Sequence, residues 1–238
     1  MRRFLKKIPG LPRLYFELKL WTNRESRSVR LLQLFSKNLF QPFPDTAFDR
    51  YPAFFSFVKE RLSGIEVPRV LSFGCSTGEE VFSLHRYMPN AKILGIDINP
   101  RSIEICNKRL KFLKGSPIAF KCAGLTDPAL EGDFDAVFSC AVFRHGSLKS
   151  LRPQYCGDIL DFGRFDETVS ALCRQLKVGG YLVIWHAHFR FCDTSSYKYF
   201  RPVFNWSDEA SRDNPVYGPD NRLLSNVQYS EAIFLKIS

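Results

Sequence analysis

Apolar positions along the chain switch repeatedly between helical and strand-like spacing. Phe54, Phe55, Val58 and Leu62 fall on one face of a helix ending near Gly64, and Val70-Leu71-Ser72-Phe73 reads as a short buried strand. This strand runs into Gly74-Cys75-Ser76-Thr77-Gly78, after which Val81, Leu84 and Tyr87 mark another helix. Ile93-Leu94-Gly95-Ile96, closing on Asp97, is the second strand. Asn99-Pro100 then supplies an N-cap with proline at the first helical position, and Ile103, Cys106, Leu110 and Leu113 line the helix it opens. A weaker strand at 118–122 and a fourth at 134–139 follow. Phe165, Val169, Leu172 and Leu176 predict a helix stopped by Gly179-Gly180, and the stretches 181–185 and 232–236 complete the strands. Such alternation predicts an α/β fold: a doubly wound, Rossmann-like, mostly parallel sheet with helices on both faces.

Ahead of this region the pattern differs. From Arg2 to about Asn38 the chain reads as helical in pieces, broken by Pro9, Gly10 and Pro12, with Leu11, Leu14, Tyr15, Leu18 and Trp21 at helical spacing. Pro42, Pro44 and Pro52 mark a linker. The expected organisation is a basic amphipathic helical extension over 1–50 and a globular domain over 51–238.

Composition narrows the picture. With 238 residues, 45% hydrophobic and 24% charged, the chain can bury a sizeable core and is not disordered throughout. Its net charge of +10 invites a nucleic-acid or membrane partner. Location decides otherwise for nucleic acid: the first thirty residues hold nine Lys/Arg against two Asp/Glu, leaving the remainder nearly neutral. The extension could lie on an anionic membrane surface through residues 1–30, or pack its apolar stripe on the domain. Seven cysteines without a CxxC pair offer neither a disulfide framework nor metal-ligand spacing, so no metal is expected and a reducing, cytoplasmic location is. No apolar stretch approaches the roughly 18 residues of a spanning helix, so any membrane contact would be peripheral.

In a doubly wound sheet the ligand lies beyond the carboxyl ends of the strands, where the strand order reverses. The turn from Gly74 to Gly78 occupies that place. Glu79 and Glu80 follow it at once, which disfavours a pyrophosphate and suits a ligand carrying positive charge, while also complementing a helix dipole. Asp97, 19 residues beyond Gly78, can accept both hydrogen bonds of a ribose diol. His145 follows the fourth strand, and His186 and His188 follow the fifth, at the same edge.

The strings Val70 to Glu80, the strand ending in Asp97, Phe134 to Ser139 and Leu176-Lys177-Val178-Gly179-Gly180-Tyr181-Leu182 together resemble the class I S-adenosylmethionine-dependent methyltransferases. The resemblance implies seven strands with a reversed last hairpin, hence one more strand around Tyr199–Phe204. It implies S-adenosyl-L-methionine as cofactor, with Gly74, Cys75 and Gly78 facing its methionine part and Asp97 its ribose. Ile98, Gly124 and Leu125 would border the adenine, and Ser139 and Cys140 would lie beneath the sulfonium. Where an acidic residue often precedes the first glycine by two positions, this chain has Ser72. The implied activity is methyl transfer by direct displacement to a small-molecule, lipid-linked or saccharide acceptor, with His145 and His186 as candidate bases. The string Gly-Cys-Ser-Thr-Gly-Glu-Glu is also similar to that of chemotaxis-receptor glutamate methyltransferases, making protein-carboxylate methylation an alternative. A non-catalytic cofactor-binding regulatory or scaffold protein is another.

Overall fold

The computed structural model describes residues 39–41, 45–124, 132–207, 213–225, 227 and 229–238. The basic stretch, Pro42, Pro44 and Leu125 lie outside the described residues.

Twelve elements follow the predicted rhythm: α1 (Pro52–Arg61), β1 (Arg69–Phe73), α2 (Glu79–Tyr87), β2 (Lys92–Asp97), α3 (Pro100–Leu110), β3 (Ile118–Cys122), β4 (Phe134–Cys140), α4 (Gly146–Leu151), α5 (Phe162–Gln175), β5 (Leu176–Trp185), β6 (Phe200–Asn205) and β7 (Glu231–Lys236). The strands form one seven-stranded sheet in the order β3-β2-β1-β4-β5-β7-β6. β1 to β5 pair in parallel, and β7 runs antiparallel to both β5 and β6. The reversed hairpin expected around residues 199–204 is thus present.

Each strand sends alternate side chains to opposite faces, and two apolar clusters result. Val70, Ile93, Phe138 and Ile233 join Phe55 and Val58 of α1, Val81 and Leu84 of α2 and Cys106 of α3 on one face. Leu71, Val137, Leu182 and Phe234 join Leu148 of α4 and Phe165, Val169 and Leu172 of α5 on the other. The sheet is therefore buried on both sides, which parallel strands require.

Two boundaries depart from the sequence pattern. Leu113 does not belong to α3: the helix ends at Leu110, the next amides bond three residues back, and Leu113 lies exposed. Nor do Gly179 and Gly180 stop a helix. α5 ends at Gln175, β5 begins at once, and the glycines sit inside a bulge where β5 advances from Leu176 to Tyr181 while β4 advances from Phe134 to Ala136. Gly179 takes a φ of +82°, and a Cβ on Gly180 would stand 3.0 Å from the carbonyl oxygen of Asp135. The pair serves a crowded strand rather than a helix end. Among the described residues, no helix is long and apolar enough to cross a membrane.

Candidate functional site

The strand order reverses between β1 and β4, and a cleft opens there at the carboxyl ends of the strands. The turn after β1 forms its floor. The amides of Gly74 and Cys75 both donate to the carbonyl of Ile96, at 2.9 and 3.0 Å, tying the turn to the end of β2. Gly74 has a φ of +72°, and a Cβ there would stand 2.6 Å from Cγ2 of Val142, so glycine lets the turn lie against the segment following β4.

Asp97 is held by backbone on both sides. Its Oδ2 accepts from the Ser76 amide and its Oδ1 from the Asn99 amide, each at 2.8 Å. Burial raises its pKa while these two bonds oppose the rise. Each oxygen keeps a further lone pair, and Asp97 lines the cleft beside Ile98, Asn99 and Ala123. Asn99 meanwhile caps α3, accepting from the Arg101 amide at 3.0 Å.

The two acids that follow the turn part company. Glu79 faces away from the cleft, accepting from Arg109 Nη1 at 2.5 Å and from the Thr77 hydroxyl at 2.6 Å. Glu80 is directed into the cleft wall, where Ser72 Oγ donates to its Oε1 at 2.7 Å. Burial pushes the Glu80 carboxyl up to about 7, against the Ser72 hydrogen bond. A carboxyl group therefore does stand beside β1, carried by α2 rather than by position 72.

The remaining sequence-selected residues scatter more widely. Cys75 and Cys140 line the cleft, and burial with the nearby Glu80 raises the Cys140 thiol. Gly78 is the N-cap of α2, Ser139 is buried within β4 behind the cleft, and Gly124 follows β3 with Ile98 Cγ2 3.8 Å from where its Cβ would be. The opposite wall, formed by Leu39, Phe40, Gln41, residues 45–47, Arg50 and Tyr51, was not singled out by sequence. Leu39 alone belongs to an apolar repeat, with Leu31, Leu32 and Phe35, and nothing in that repeat points to a cleft; Phe40, buried against Phe143 with ring centroids 5.0 Å apart, shows why this segment folds over it.

The histidines stand on the other side of the strand reversal. His145 caps α4, its Nδ1 accepting from the Ser147 amide at 3.3 Å, and burial lowers its pKa. His188 is fully buried between the carbonyls of Pro215 and His145, and burial pushes it down to about 4. His186, with a φ of +51°, lies 3.0 Å through Nδ1 from the Tyr51 hydroxyl. It lines a second cavity with Trp185, Asn214, Tyr229 and Ser230. Tyr51 lines the first, so this pair bridges the two. No cluster of three or more His, Cys, Asp or Glu able to hold a metal occurs among the described residues.

The cleft offers groups that an adenosine-bearing cation would need: a half-buried Asp able to accept from a diol, a half-buried Glu able to face positive charge, and a glycine turn. The chain is 30% identical over 88 residues to the carboxy-S-adenosyl-L-methionine synthase of Campylobacter hominis, covering 37% of this chain and 35% of that protein. It is 31% identical over 97 residues to an uncharacterized protein of Synechococcus sp., covering 40% and 23%. It thus spans about a third or less of the length of these curated relatives. Among solved structures, the plantazolicin methyltransferase BpumL in complex with SAH aligns over 71% of this chain and 56% of that one, at 14% identity and a TM-score of 0.42. A family model described as a methyltransferase domain matches residues 68–215, well over half of the sequence. The strand order is the one the class I resemblance implies, and the chain belongs to this methyltransferase-domain family.

Proposed function

We propose that the protein transfers a methyl group from S-adenosyl-L-methionine to a small-molecule, lipid-linked or saccharide acceptor. The observation that carries this reading is the pair of half-buried acids, Asp97 and Glu80, lining one cleft with Gly74. When bound, the cofactor supplies an electrophilic methyl carbon. Asp97, already fixed by two backbone amides, accepts from the ribose hydroxyls through its remaining lone pairs. Glu80, ionised, faces the positive charge of the methionine end, with Gly74 and Cys75 approaching the same end through backbone. Ile98 and Ala123 flank the adenine side.

Direct displacement asks the protein mainly for alignment and, for a hydroxyl or ammonium acceptor, for removal of a proton. That proton goes to His186, whose ring is anchored through Nδ1 on the Tyr51 hydroxyl. With Nδ1 as donor to the Tyr51 oxygen, the other ring nitrogen is the basic one. His145 stands second, because its Nδ1 already accepts the Ser147 amide. The acceptor then occupies the cavity on the His186 side.

Calorimetric titration with S-adenosylhomocysteine tests the cofactor site. Asp97→Ala should weaken binding at least about tenfold, about 1.4 kcal/mol. Equal affinity in the two proteins would remove Asp97 from the site. Incubating cell extract with isotopically labelled methyl donor would then identify the acceptor by its label.

A further inference from the structure

Apolar spacing puts Leu113 on the core face of α3, but the way this helix ends turns it outward. After Leu110 the amides of Phe112 and Leu113 bond to the carbonyls of Arg109 and Leu110, three residues back, at 3.1 and 2.9 Å. The tighter turn carries both side chains off the apolar stripe while its hydrogen bonds hold them in place. Phe112 is 88% exposed, more than any other large apolar residue among the described ones, and Leu113 is exposed beside it.

The pair is not isolated. With Phe48, also exposed, and the buried Phe82 of α2, it borders an open groove between α2 and the end of α3. Arg109 lies over the Phe48 and Phe82 rings, its guanidinium carbon 5.1 Å from each centroid, and is paired with Glu79 at 2.5 Å. Lys108 is likewise paired, with Glu104, and Asp49 beside Phe48 accepts from the Tyr87 hydroxyl. Arg86 of the groove wall and Lys111 and Lys114, which flank Phe112-Leu113, are exposed and make no ion pair among the described residues. An apolar tip bordered by three unpaired cations thus faces solvent. The patch shares no residue with the cleft that holds Gly74 and Asp97.

Charge selects what covers this tip. A second copy of the chain would set the same cations face to face, and the basic stretch 1–30 would add nine Lys/Arg against two acids. Lysines without fixed partners suit the diffuse field of anionic headgroups, and a protruding phenylalanine needs only a fluid acyl boundary rather than a matching pocket. We propose that the turn after α3 docks the protein on an anionic lipid bilayer. Phe112 and Leu113 enter the boundary between headgroups and acyl chains, while Lys111 and Lys114 meet lipid phosphates.

The full chain is co-sedimented at low salt with vesicles of equal parts phosphatidylserine and phosphatidylcholine. The parent should bind these, and should bind pure phosphatidylcholine vesicles at least about tenfold more weakly. Phe112→Ser combined with Leu113→Ser should weaken binding to the mixed vesicles at least about tenfold. Lys111→Glu combined with Lys114→Glu should do the same. Residues 1–30 are present in every protein compared, so a loss belongs to the turn. Because the replaced side chains are exposed, each variant should keep the parent's melting curve. Failure of the parent to bind the mixed vesicles would overturn the proposal and leave the patch to a protein partner. Equal binding by parent and variants, or equal binding of the two vesicle types, would overturn it as well. So would a parent that is dimeric without lipid and variants that are monomeric, or a lowered melting curve in the serine variant, which would show the tip packed within its own chain.

Discussion

The two sides of the strand reversal are built from opposite chemistry and by different means. On the β1–β2 side stand two half-buried acids, Asp97 and Glu80, each within a turn of a strand end and each held by near neighbours in sequence or by a paired strand. On the β4–β5 side stand His145, His186 and His188; His145 caps its own helix, while His186 and His188 find partners in Tyr51 and Pro215, far away in the chain. The first side is a hydrogen-bonded cradle, the one proposed above to hold the cofactor. The second is assembled from long-range contacts, which is where one methyltransferase can differ from another without disturbing its cofactor site.

The largest test of this contrast is the cradle itself. Gly74→Val should cost about 3 kcal/mol or more in urea unfolding, combining a left-handed backbone strain of about 1–2 kcal/mol with the clash against Val142. Adding Val142→Ala should return the clash part and leave the backbone part. Full recovery would show that the turn is not conformationally demanding and that the cradle is less rigid than its hydrogen bonds imply.

Glu80 gives the next effect, and its sign is specific. Its folded-state pKa of about 7 lies above the ordinary carboxylate value, so between about pH 4.5 and 7 the folded chain holds more protons than the unfolded one. Stability without ligand must therefore fall as pH rises through that window. Glu80→Gln should match the parent near pH 4 and exceed it at pH 8, by on the order of 3 kcal/mol. Cofactor binding should move the opposite way: affinity for S-adenosylmethionine rises through pH 7 in the parent and is flatter in Glu80→Gln. Parallel pH profiles for the two proteins would take the charge on Glu80 out of cofactor binding.

Tyr51 marks the border between the two sides, so its replacement sharpens the comparison most finely. Tyr51→Phe loses one hydrogen bond, about 1 kcal/mol of stability. Turnover should drop about tenfold with a shifted pH profile, while S-adenosylmethionine affinity stays within about twofold. A loss of affinity with unchanged turnover would instead assign Tyr51 to the cofactor side.

Much of the cradle is legible in the sequence. The glycine turn, the strand ending in Asp97 and the Asn99-Pro100 helix start are local signals, each readable within a few residues because backbone geometry alone produces them. Ser72 looked like a missing acid; the sheet and α2 place Glu80 against it, which needs the register of a strand and a helix turn to be known together. Gly179-Gly180 looked like a helix stop, since glycine carries the same freedom in a bulge as at a cap, and only the pairing of β5 with β4 separates the two.

By itself, the sequence determined the alternation of strands and helices, the position of the cofactor turn, and the acid that closes β2. These follow from apolar period and from residues whose backbone demands are local. Tertiary structure decided which of Glu79 and Glu80 faces the cleft, that residues 39–41, 45–47, 50 and 51 wall it, and that Tyr51 meets His186 across 135 positions. Contacts of that span depend on how strands order in the sheet, and no spacing along a single chain encodes the order directly.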